Sequence, residues 1–146
     1  PGHGIIGDDT DGHIDQVARF VDERRVLVAA PYDQDAPEAA DLRANFEAVG
    51  SSFVGVRREL LEPIPMIMPQ PKFLDGNRLP ACYCNYYLAN GAVIVPTFED
   101  PADEDAMQLL KDCYPDRSII GVDATDLIWG LGAFHCMTQQ QPHAAE

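Results

Sequence analysis

The fold is decided by the stretch Tyr86-Tyr-Leu-Ala-Asn-Gly-Ala-Val-Ile-Val-Pro-Thr-Phe-Glu-Asp-Pro101. Its beginning belongs to a tyrosine-rich run, residues 82–88, which predicts a strand. Asn90-Gly91 is a strong hairpin signal, so the apolar run at 92–95 predicts the strand that returns. Asp100-Pro101 predicts the start of a helix, because proline is favoured in the first helical turn.

The rest of this unit follows downstream. The predicted helix has an apolar side that includes Met107 and Leu110, and Pro115 ends it. Residues 118–122 then predict a closing strand. The unit over residues 82–122 therefore has the order strand, turn, strand, helix, strand (ββαβ).

The same order is predicted upstream, over residues 14–69. Residues 14–21 and 26–30 predict two strands that are joined by a turn. A helix is predicted to begin near Asp35 and to end at Gly50, with apolar residues at helical spacing between them. The two units thus form an internal repeat.

The stretch that joins the units is rich in proline. Apolar residues at 53–56 and 64–68 predict a strand at one or both places. Residues 63–80 carry five prolines and Asp75-Gly76-Asn77, which predicts a loop with room for one strand.

A closing segment, residues 123–142, follows the second unit. It predicts a short helix at 123–129 and a last strand or turn at 133–137. The alternation of strands and helices predicts an α/β architecture. Two such units cannot close a ring, so each leaves a face or a sheet edge uncovered.

Composition narrows the class of protein. Among the 146 residues, 46% are hydrophobic, which excludes wholesale disorder. The net charge of −14 argues against nucleic acid or an anionic membrane as a partner, and it suits either a cationic ligand or plain solubility. The four cysteines lack the spacing of a disulfide framework, which favours a reducing cytoplasm. The start at Pro1, without an initiator methionine, leads us to expect a fragment or a processed product.

Cys136 is a candidate nucleophile. It follows a glycine-spaced turn that contains Gly130 and Gly132, and it precedes a run of amide side chains. Glycines let a substrate approach the backbone, and a cysteine beyond them could attack it. The alternative is a cysteine that packs in the core as a small apolar side chain.

His13 and Asp15 form a second candidate pair. At strand spacing their side chains would point to one face, as an acid/base residue and its carboxylate would require. The surrounding Asp, Thr and Gly residues are also turn formers, so a turn cluster remains the alternative.

A metal site is not predicted. Cys82 and Cys84 would share one face of a strand, but zinc needs two further ligands, and His3, His135 and His143 offer no suitable spacing. In an extended segment His135 would point away from Cys136, so no dyad is predicted between them.

Four blocks run almost end to end along the chain. They are Gly7-Asp-Asp-Thr-Asp-Gly-His-Ile-Asp15 with Ala18-Arg-Phe-Val21, Gly76-Asn-Arg-Leu-Pro-Ala-Cys-Tyr83 with Asn85, Asn90-Gly-Ala-Val-Ile-Val-Pro-Thr-Phe98, and Ile128-Trp-Gly130 with His135-Cys-Met-Thr-Gln-Gln-Gln-Pro142. Together they resemble the C-terminal part of the agmatine deiminases of the guanidine-modifying superfamily. The bacterial peptidylarginine deiminases, related by shared ancestry, are the nearest alternative.

The resemblance implies a pseudo-fivefold α/β propeller of ββαβ modules around a central site. This chain would cover about two modules, at 14–69 and 82–122, and the closing segment 123–142. The other modules, with a further guanidinium-binding carboxylate, would belong to an N-terminal part. Where the family has a run of glycines, Leu131 and Ala133 stand here, which narrows the pocket or shifts it.

The resemblance also implies a reaction, the hydrolysis of agmatine to N-carbamoylputrescine and ammonia, in putrescine and polyamine biosynthesis. Protein-arginine deimination is one alternative, and an incomplete fragment with a binding or structural role is another. No metal or organic cofactor is required. The implied partner is a small cationic guanidine, with association between copies or with the N-terminal part as a further expectation.

Roles follow from the resemblance residue by residue. Cys136 would attack the guanidinium carbon, His13 would move the protons and Asp15 would bind the guanidinium. The implied substrate-binding residues are Asp9 for the distal ammonium, Asp11 in the loop and Gly132 at the close approach of the ligand.

Overall fold

The computed structural model describes residues 4–10 and 12–141. Within these ranges, ten strands and two α-helices follow one another. They are β1 (Ala18–Phe20), β2 (Arg25–Ala30), α1 (Ala39–Gly50), β3 (Phe53–Val54), β4 (Glu59–Leu60), β5 (Glu62–Ile67), β6 (Lys72–Leu74), β7 (Asn77–Leu79), β8 (Tyr87–Ala89), β9 (Ala92–Thr97), α2 (Asp103–Cys113) and β10 (Ser118–Asp123). Short 3₁₀ helices lie at Ile14–Gln16, Tyr83–Asn85 and Leu127–Gly130. In this described part, neither α-helix has the length and apolar character that a membrane span needs.

Two three-stranded sheets share one topology. In the first, β2 lies between β1, to which it is antiparallel, and β5, to which it is parallel. In the second, β9 lies between β8, again antiparallel, and β10, again parallel. Helix α1 connects the first parallel pair and α2 the second. The order strand, turn, strand, helix, strand that the sequence predicts is therefore present in both units, and the α/β class is confirmed.

The proline-rich stretch is more ordered than its composition predicts. Residues 62–79 hold β5, where a strand is expected near 64–68, and also the hairpin of β6 and β7, which goes beyond the one strand that the composition predicts. Pro63 and Pro65 alternate along β5, and the flanking N–H groups of Glu62 and Met68 donate to carbonyls on the β2 side. The prolines thus fall at positions whose missing N–H faces away from β2, which an edge strand tolerates.

Both predicted first strands begin later than expected. Residues 14–16 and 83–85 form 3₁₀ turns instead, and β1 and β8 follow them. Likewise the predicted helix at 123–129 is a 3₁₀ turn at Leu127–Gly130, and residues 134–137 form a turn rather than a strand. These turns carry several residues of the candidate site described below.

One buried cluster joins the two units. Its largest fully buried side chains include Tyr83, Tyr86, Phe98, Leu27 and Met66. Burying an aliphatic or aromatic side chain of this size stabilises the fold by about 1.5–3 kcal/mol. Cys113 also lies in this cluster.

A buried ion pair between Arg78 and Glu38 links β7 to the start of α1. Glu38 is only 2% exposed, and its carboxylate accepts two hydrogen bonds from the Arg78 guanidinium. Gly7 lies against the backbone of Arg78, where an added Cβ would overlap the carbonyl, and its φ of +94° also favours glycine. The N-terminal loop is thereby packed against the core.

Candidate functional site

Three turns of the chain converge on one small cluster. The 3₁₀ turn at Ile14–Gln16 supplies Asp15, the 3₁₀ turn at Tyr83–Asn85 supplies Asn85, and the turn after Gly132 supplies His135 and Cys136. None of these side chains comes from the interior of a strand or an α-helix. Their approach depends on contacts between residues that are far apart in the sequence.

Oxygen Oδ2 of Asp15 is the centre of the cluster. It lies 2.6 Å from His135 Nδ1, 3.1 Å from Asn85 Nδ2 and 3.3 Å from Cys136 Sγ. The Asp15 side chain is 14% exposed, and that of His135 is 41% exposed. Among the described residues, no donor is bonded to the other oxygen, Oδ1, which leaves that oxygen available to a ligand.

Asn85 organises the turn that carries the cysteine. It is fully buried, and its Oδ1 accepts hydrogen bonds from the backbone N–H of Ala133 at 2.9 Å and of Cys136 at 3.3 Å. Its Nδ2 donates to Cys136 Sγ at 3.1 Å as well as to Asp15. One amide therefore fixes the backbone of the turn and binds both reactive side chains.

Gly132 is required by the cysteine itself. An added Cβ at this position would lie 2.7 Å from both Cβ and Sγ of Cys136, and such distances force a displacement. The group that approaches the Gly132 backbone in this structure is therefore the Cys136 side chain. On the other side, Gln16 donates from Nε2 to the Leu131 carbonyl at 3.1 Å.

Opposing influences act on the Asp15 carboxyl. Burial is the largest and raises its pKa, but the hydrogen bonds from His135 and Cys136, the charge of His135 and the Asn85 amide together outweigh it. The pKa of Asp15 is therefore lower than its ordinary value of 3.8, and the group is an anion at neutral pH.

The Cys136 thiol shifts in the opposite direction. Burial raises its pKa, the Asn85 hydrogen bond lowers it, and the contact with the Asp15 anion raises it again. The net pKa is above the ordinary value of 9.0, so the thiol is protonated at neutral pH. A cation placed beside it would favour the thiolate.

Leu131 and Ala133, which stand where the resemblance implies glycines, have different surroundings. Ala133 is buried in the core cluster, where its methyl group packs. Leu131 has a φ of +66°, in the left-handed region that favours glycine. Only Leu131 therefore adopts a backbone conformation that a glycine would adopt more easily.

The remaining predicted residues lie around this cluster or outside the description. His13 immediately precedes the turn of Asp15; it is exposed, and its side chain has no hydrogen-bond partner within residues 4–10 and 12–141. Asp9 is exposed in a turn that Asp8 closes by accepting from Thr10 N at 2.9 Å. The predictions for Asp11, His3 and His143 fall outside the described residues.

Sequence reasoning missed two members of the cluster. His135 was expected to point away from Cys136, but residues 134–137 form a turn, and both side chains contact the same oxygen of Asp15. Asn85 had no predicted role, because the expected strand at 82–88 gave no reason for its amide to face the cysteine. The signal that could have found it is an asparagine within an apolar run. Its side-chain amide needs hydrogen-bond partners when it is buried.

The relatives of this chain place it in a known family. A family model described as Porphyromonas-type peptidyl-arginine deiminase matches residues 2–142. The chain belongs to this family. The resemblance inferred from the four sequence blocks is thereby confirmed.

Individual members of the family are similar to this chain in sequence and in structure. The protein of Latilactobacillus sakei named "Putative agmatine deiminase" is 37% identical over 95% of this chain and 43% of its own length. A solved structure of the "Putative Arginine Deiminase" of Porphyromonas gingivalis has a TM-score of 0.90 at 35% identity, over 96% of this chain and 41% of that one.

A third relative was solved in complex. It is a cysteine-to-serine variant of the agmatine deiminase of C. jejuni with substrate bound, with a TM-score of 0.79 at 31% identity, over 90% of this chain and 38% of that one. The chain thus spans about two fifths of the length of the family members that it matches.

Proposed function

We propose that this chain supplies the nucleophile of a deiminase that hydrolyses agmatine to N-carbamoylputrescine and ammonia, a step towards putrescine and polyamines. The observation that carries the proposal is the cluster of Cys136, Asp15 and Asn85, in which a thiol lies 3.3 Å from a carboxylate with a free oxygen. A planar guanidinium pairs naturally with such a carboxylate. The family and the names of its members agree with this chemistry.

Binding comes first. The guanidinium would donate to Asp15 Oδ1, beside the three donors already on Oδ2, and this would hold its central carbon near Cys136. Asp9 would bind the distal ammonium, Asp11 would shape its loop, and Gly132 would leave room for both the thiol and the ligand. The net charge of −14 adds a general attraction for a dication.

Covalent chemistry follows from the position of the thiol. The bound cation favours loss of the thiol proton to solvent, and the resulting thiolate attacks the guanidinium carbon and forms a C–S bond. His13, as the imidazolium, donates a proton to the departing nitrogen, and the C–N bond breaks to release ammonia. A thiouronium remains on Cys136.

Hydrolysis completes the cycle. Neutral His13 accepts a proton from water, whose oxygen attacks the thiouronium carbon. The second tetrahedral adduct collapses with cleavage of the C–S bond, which releases N-carbamoylputrescine and the thiolate, and its hydroxyl proton passes through solvent to the released ammonia. The balance is one guanidinium and one water consumed, and one ureido product and one ammonium formed, with no metal or organic cofactor needed.

The architecture and setting belong to the same proposal. The two ββαβ units would be two modules of a five-module propeller, at 14–69 and 82–122, closed by residues 123–142. Its other modules, on the same or another chain, would complete the pocket. We place the enzyme in the cytoplasm on the basis of its free cysteines.

The test is ammonia release from agmatine by the complete protein. Cys136→Ser should abolish turnover and leave agmatine binding detectable by calorimetry, while the same substitution at buried Cys113 should leave turnover measurable. Turnover by Cys136→Ser at the parent rate would refute the covalent mechanism. Arginyl peptides assayed beside agmatine separate protein-arginine deimination from agmatine hydrolysis, and inactivity towards both favours the binding or structural role.

A further inference from the structure

We propose that Arg19 is a positioning residue that fixes the turn presenting Asn85 to Cys136 and Asp15. Arg19 does not touch either reactive side chain. It acts through the backbone on both sides of Asn85. Its consequence for turnover rests on the proposed function, but its consequence for the reactivity of the Cys136 thiol does not.

The contacts of Arg19 define this role. Its Nη1 donates to the carbonyl of Cys84 at 3.1 Å and to the carbonyl of Tyr86 at 2.8 Å. These two carbonyls flank Asn85 directly, so one guanidinium nitrogen bridges the turn at the residue before and the residue after the amide. The guanidinium carbon also lies 4.6 Å from the centre of the Tyr86 ring, a cation–π distance.

The stacking surface is itself held in place. Tyr86 is fully buried, and its hydroxyl lies 2.8 Å from that of Tyr114, which donates to the Phe20 carbonyl at 3.3 Å. Arg19 and Phe20 are neighbours in β1. The guanidinium therefore stacks on a ring whose hydroxyl is linked, through Tyr114, to the backbone of β1 next to Arg19.

Asn85 transmits the position of this turn to the Cys136 and Asp15 side chains through its hydrogen bonds. Its amide contacts Sγ of Cys136 and Oδ2 of Asp15 at 3.1 Å each, and it holds the backbone of Ala133 and Cys136. Hydrogen bonds weaken steeply with distance and angle, so a small rotation of the turn would loosen all four contacts. The Nδ2 contact lowers the pKa of the Cys136 thiol, as does a weaker hydrogen bond from the backbone of Ala133.

Arginine suits this position better than lysine. Its planar guanidinium can stack on a tyrosine ring while the same group bridges two carbonyls. A lysine ammonium keeps the charge and three donors but has no flat face. We therefore expect Arg19→Lys to preserve part of the function and Arg19→Gln to preserve little.

The first measurement is alkylation of Cys136 by iodoacetamide across a pH series, with the modified cysteine identified by mass spectrometry. Cys136 is the exposed cysteine, whereas Cys82, Cys84 and Cys113 are buried. In Arg19→Gln the apparent pKa for alkylation should rise by about one pH unit, since a hydrogen bond to a charged group is lost or misaligned. Arg19→Lys should lie between this variant and the parent.

The matched control is Arg78→Lys. The Arg78 side chain is 12% exposed and pairs with Glu38, and among the described residues it makes no hydrogen bond to Cys136, Asp15 or Asn85. Its substitution should lower the melting temperature and leave the alkylation profile of Cys136 unchanged. An equal shift of the profile in both variants would reduce the role of Arg19 to general stability and overturn the proposal.

A double-mutant cycle separates positioning from the direct effect of the Arg19 charge. In an Asn85→Ala background, or Asn85→Ser where the alanine variant does not fold, Arg19→Gln should shift the alkylation profile no further. A shift of the same size with and without Asn85 would show that Arg19 acts through space, and would overturn the proposal. With agmatine, Arg19→Gln should lower kcat at least about tenfold with a smaller change in KM.

The two proposals can fail separately. Alkylation profiles need no substrate, so they judge Arg19 even if the protein deiminates nothing. Conversely, turnover that depends on Cys136 but not on Arg19, with an unchanged alkylation profile in Arg19→Gln, would leave the proposed function intact and remove the role of Arg19.

Discussion

The thiol of Cys136 lies 3.3 Å from Oδ2 of Asp15, although 121 positions separate the two residues in the sequence. This contact joins two turns that lie far apart in the sequence, and it influences the protonation state of the thiol. Burial and the contact with the Asp15 carboxylate raise the thiol pKa and favour the protonated thiol, whereas a bound guanidinium cation would favour the thiolate. The same carboxylate is the proposed anchor of that cation.

Asp15→Asn should therefore change thiol reactivity and catalysis in opposite directions. The thiol pKa should fall by about one unit, because a neighbouring anion is removed, so alkylation of Cys136 at neutral pH becomes faster. Deimination should fall at least about 100-fold in kcat/KM, because the substrate loses its charged partner. Alkylation rates and ammonia release from one preparation provide both readouts.

The control for this prediction is Asp22→Asn. Asp22 pairs with Arg25 at an exposed position, and its loss should change neither readout. Slower alkylation in Asp15→Asn would mean that the carboxylate promotes the thiolate, contrary to the assigned direction.

A pair of glycines in one turn tests the geometry at the cysteine. Gly132→Ala places a methyl group 2.7 Å from the Cys136 side chain, whereas Gly130→Ala meets nothing within 4 Å. We expect Gly132→Ala to lower kcat/KM at least about 100-fold, since misplacement of a catalytic group by about 1 Å has effects of this size. Gly130→Ala should keep activity within about threefold, because its methyl group enters open space. Comparable activity of the two variants would show that the cysteine does not need the space above Gly132.

Local sequence signals were sufficient for the repeat. Asn90-Gly91, the apolar strand after it and the helix that follows Asp100-Pro101 each depend on neighbouring residues, and all appear in the structure. The apolar residues at 64–68 predicted β5, but the sequence alone does not show that Pro63 and Pro65 share the unpaired side of an edge strand. Composition indicated a loop with one strand, whereas residues 72–79 also form the β6–β7 hairpin.

The site was less accessible to prediction for a physical reason. The sequence named Cys136 and Asp15 as candidates, but Asn85 and His135 take their positions from contacts across the fold. Arg19 bonds the carbonyls around Asn85, and Asn85 bonds the backbone around His135. Such long-range hydrogen bonds turn a strand-like sequence into a 3₁₀ turn and leave no local periodic signal.

Stability should depend strongly on one ion pair and weakly on another. Glu38→Gln leaves the Arg78 guanidinium, whose side chain is 12% exposed, without its counter-ion, and we expect a loss of about 3 kcal/mol in the free energy of unfolding. Glu62→Gln breaks an exposed pair with Arg24 and should cost less than about 1 kcal/mol. Denaturant unfolding followed by circular dichroism gives both values. Equal losses would contradict the difference in burial as the cause.

Substitutions of His135 and His13 should have different effects on the pKa of Asp15. His135→Asn removes a hydrogen bond and a positive charge that lower the pKa of Asp15, while burial, which raises it, remains. The pKa of Asp15 should therefore rise in this variant, as measured by the carboxyl carbon shift in an NMR titration. His13→Asn should leave that pKa unchanged, because His13 makes no hydrogen bond to Asp15 within the described residues, although it should abolish the proposed proton transfers.

The same shift predicts the pH dependence of stability. A carboxyl whose pKa is depressed by folding stabilises the native state above its unfolded value of 3.8, and this contribution is lost as the pH falls through the lower folded value. His135→Asn should thus be less stable than the parent near neutral pH, and the part of the difference that comes from Asp15 should vanish in strong acid. Unfolding curves across this range provide the measurement. A stability gap that stays constant as Asp15 is protonated would show that His135 stabilises the fold by packing and not through the carboxylate.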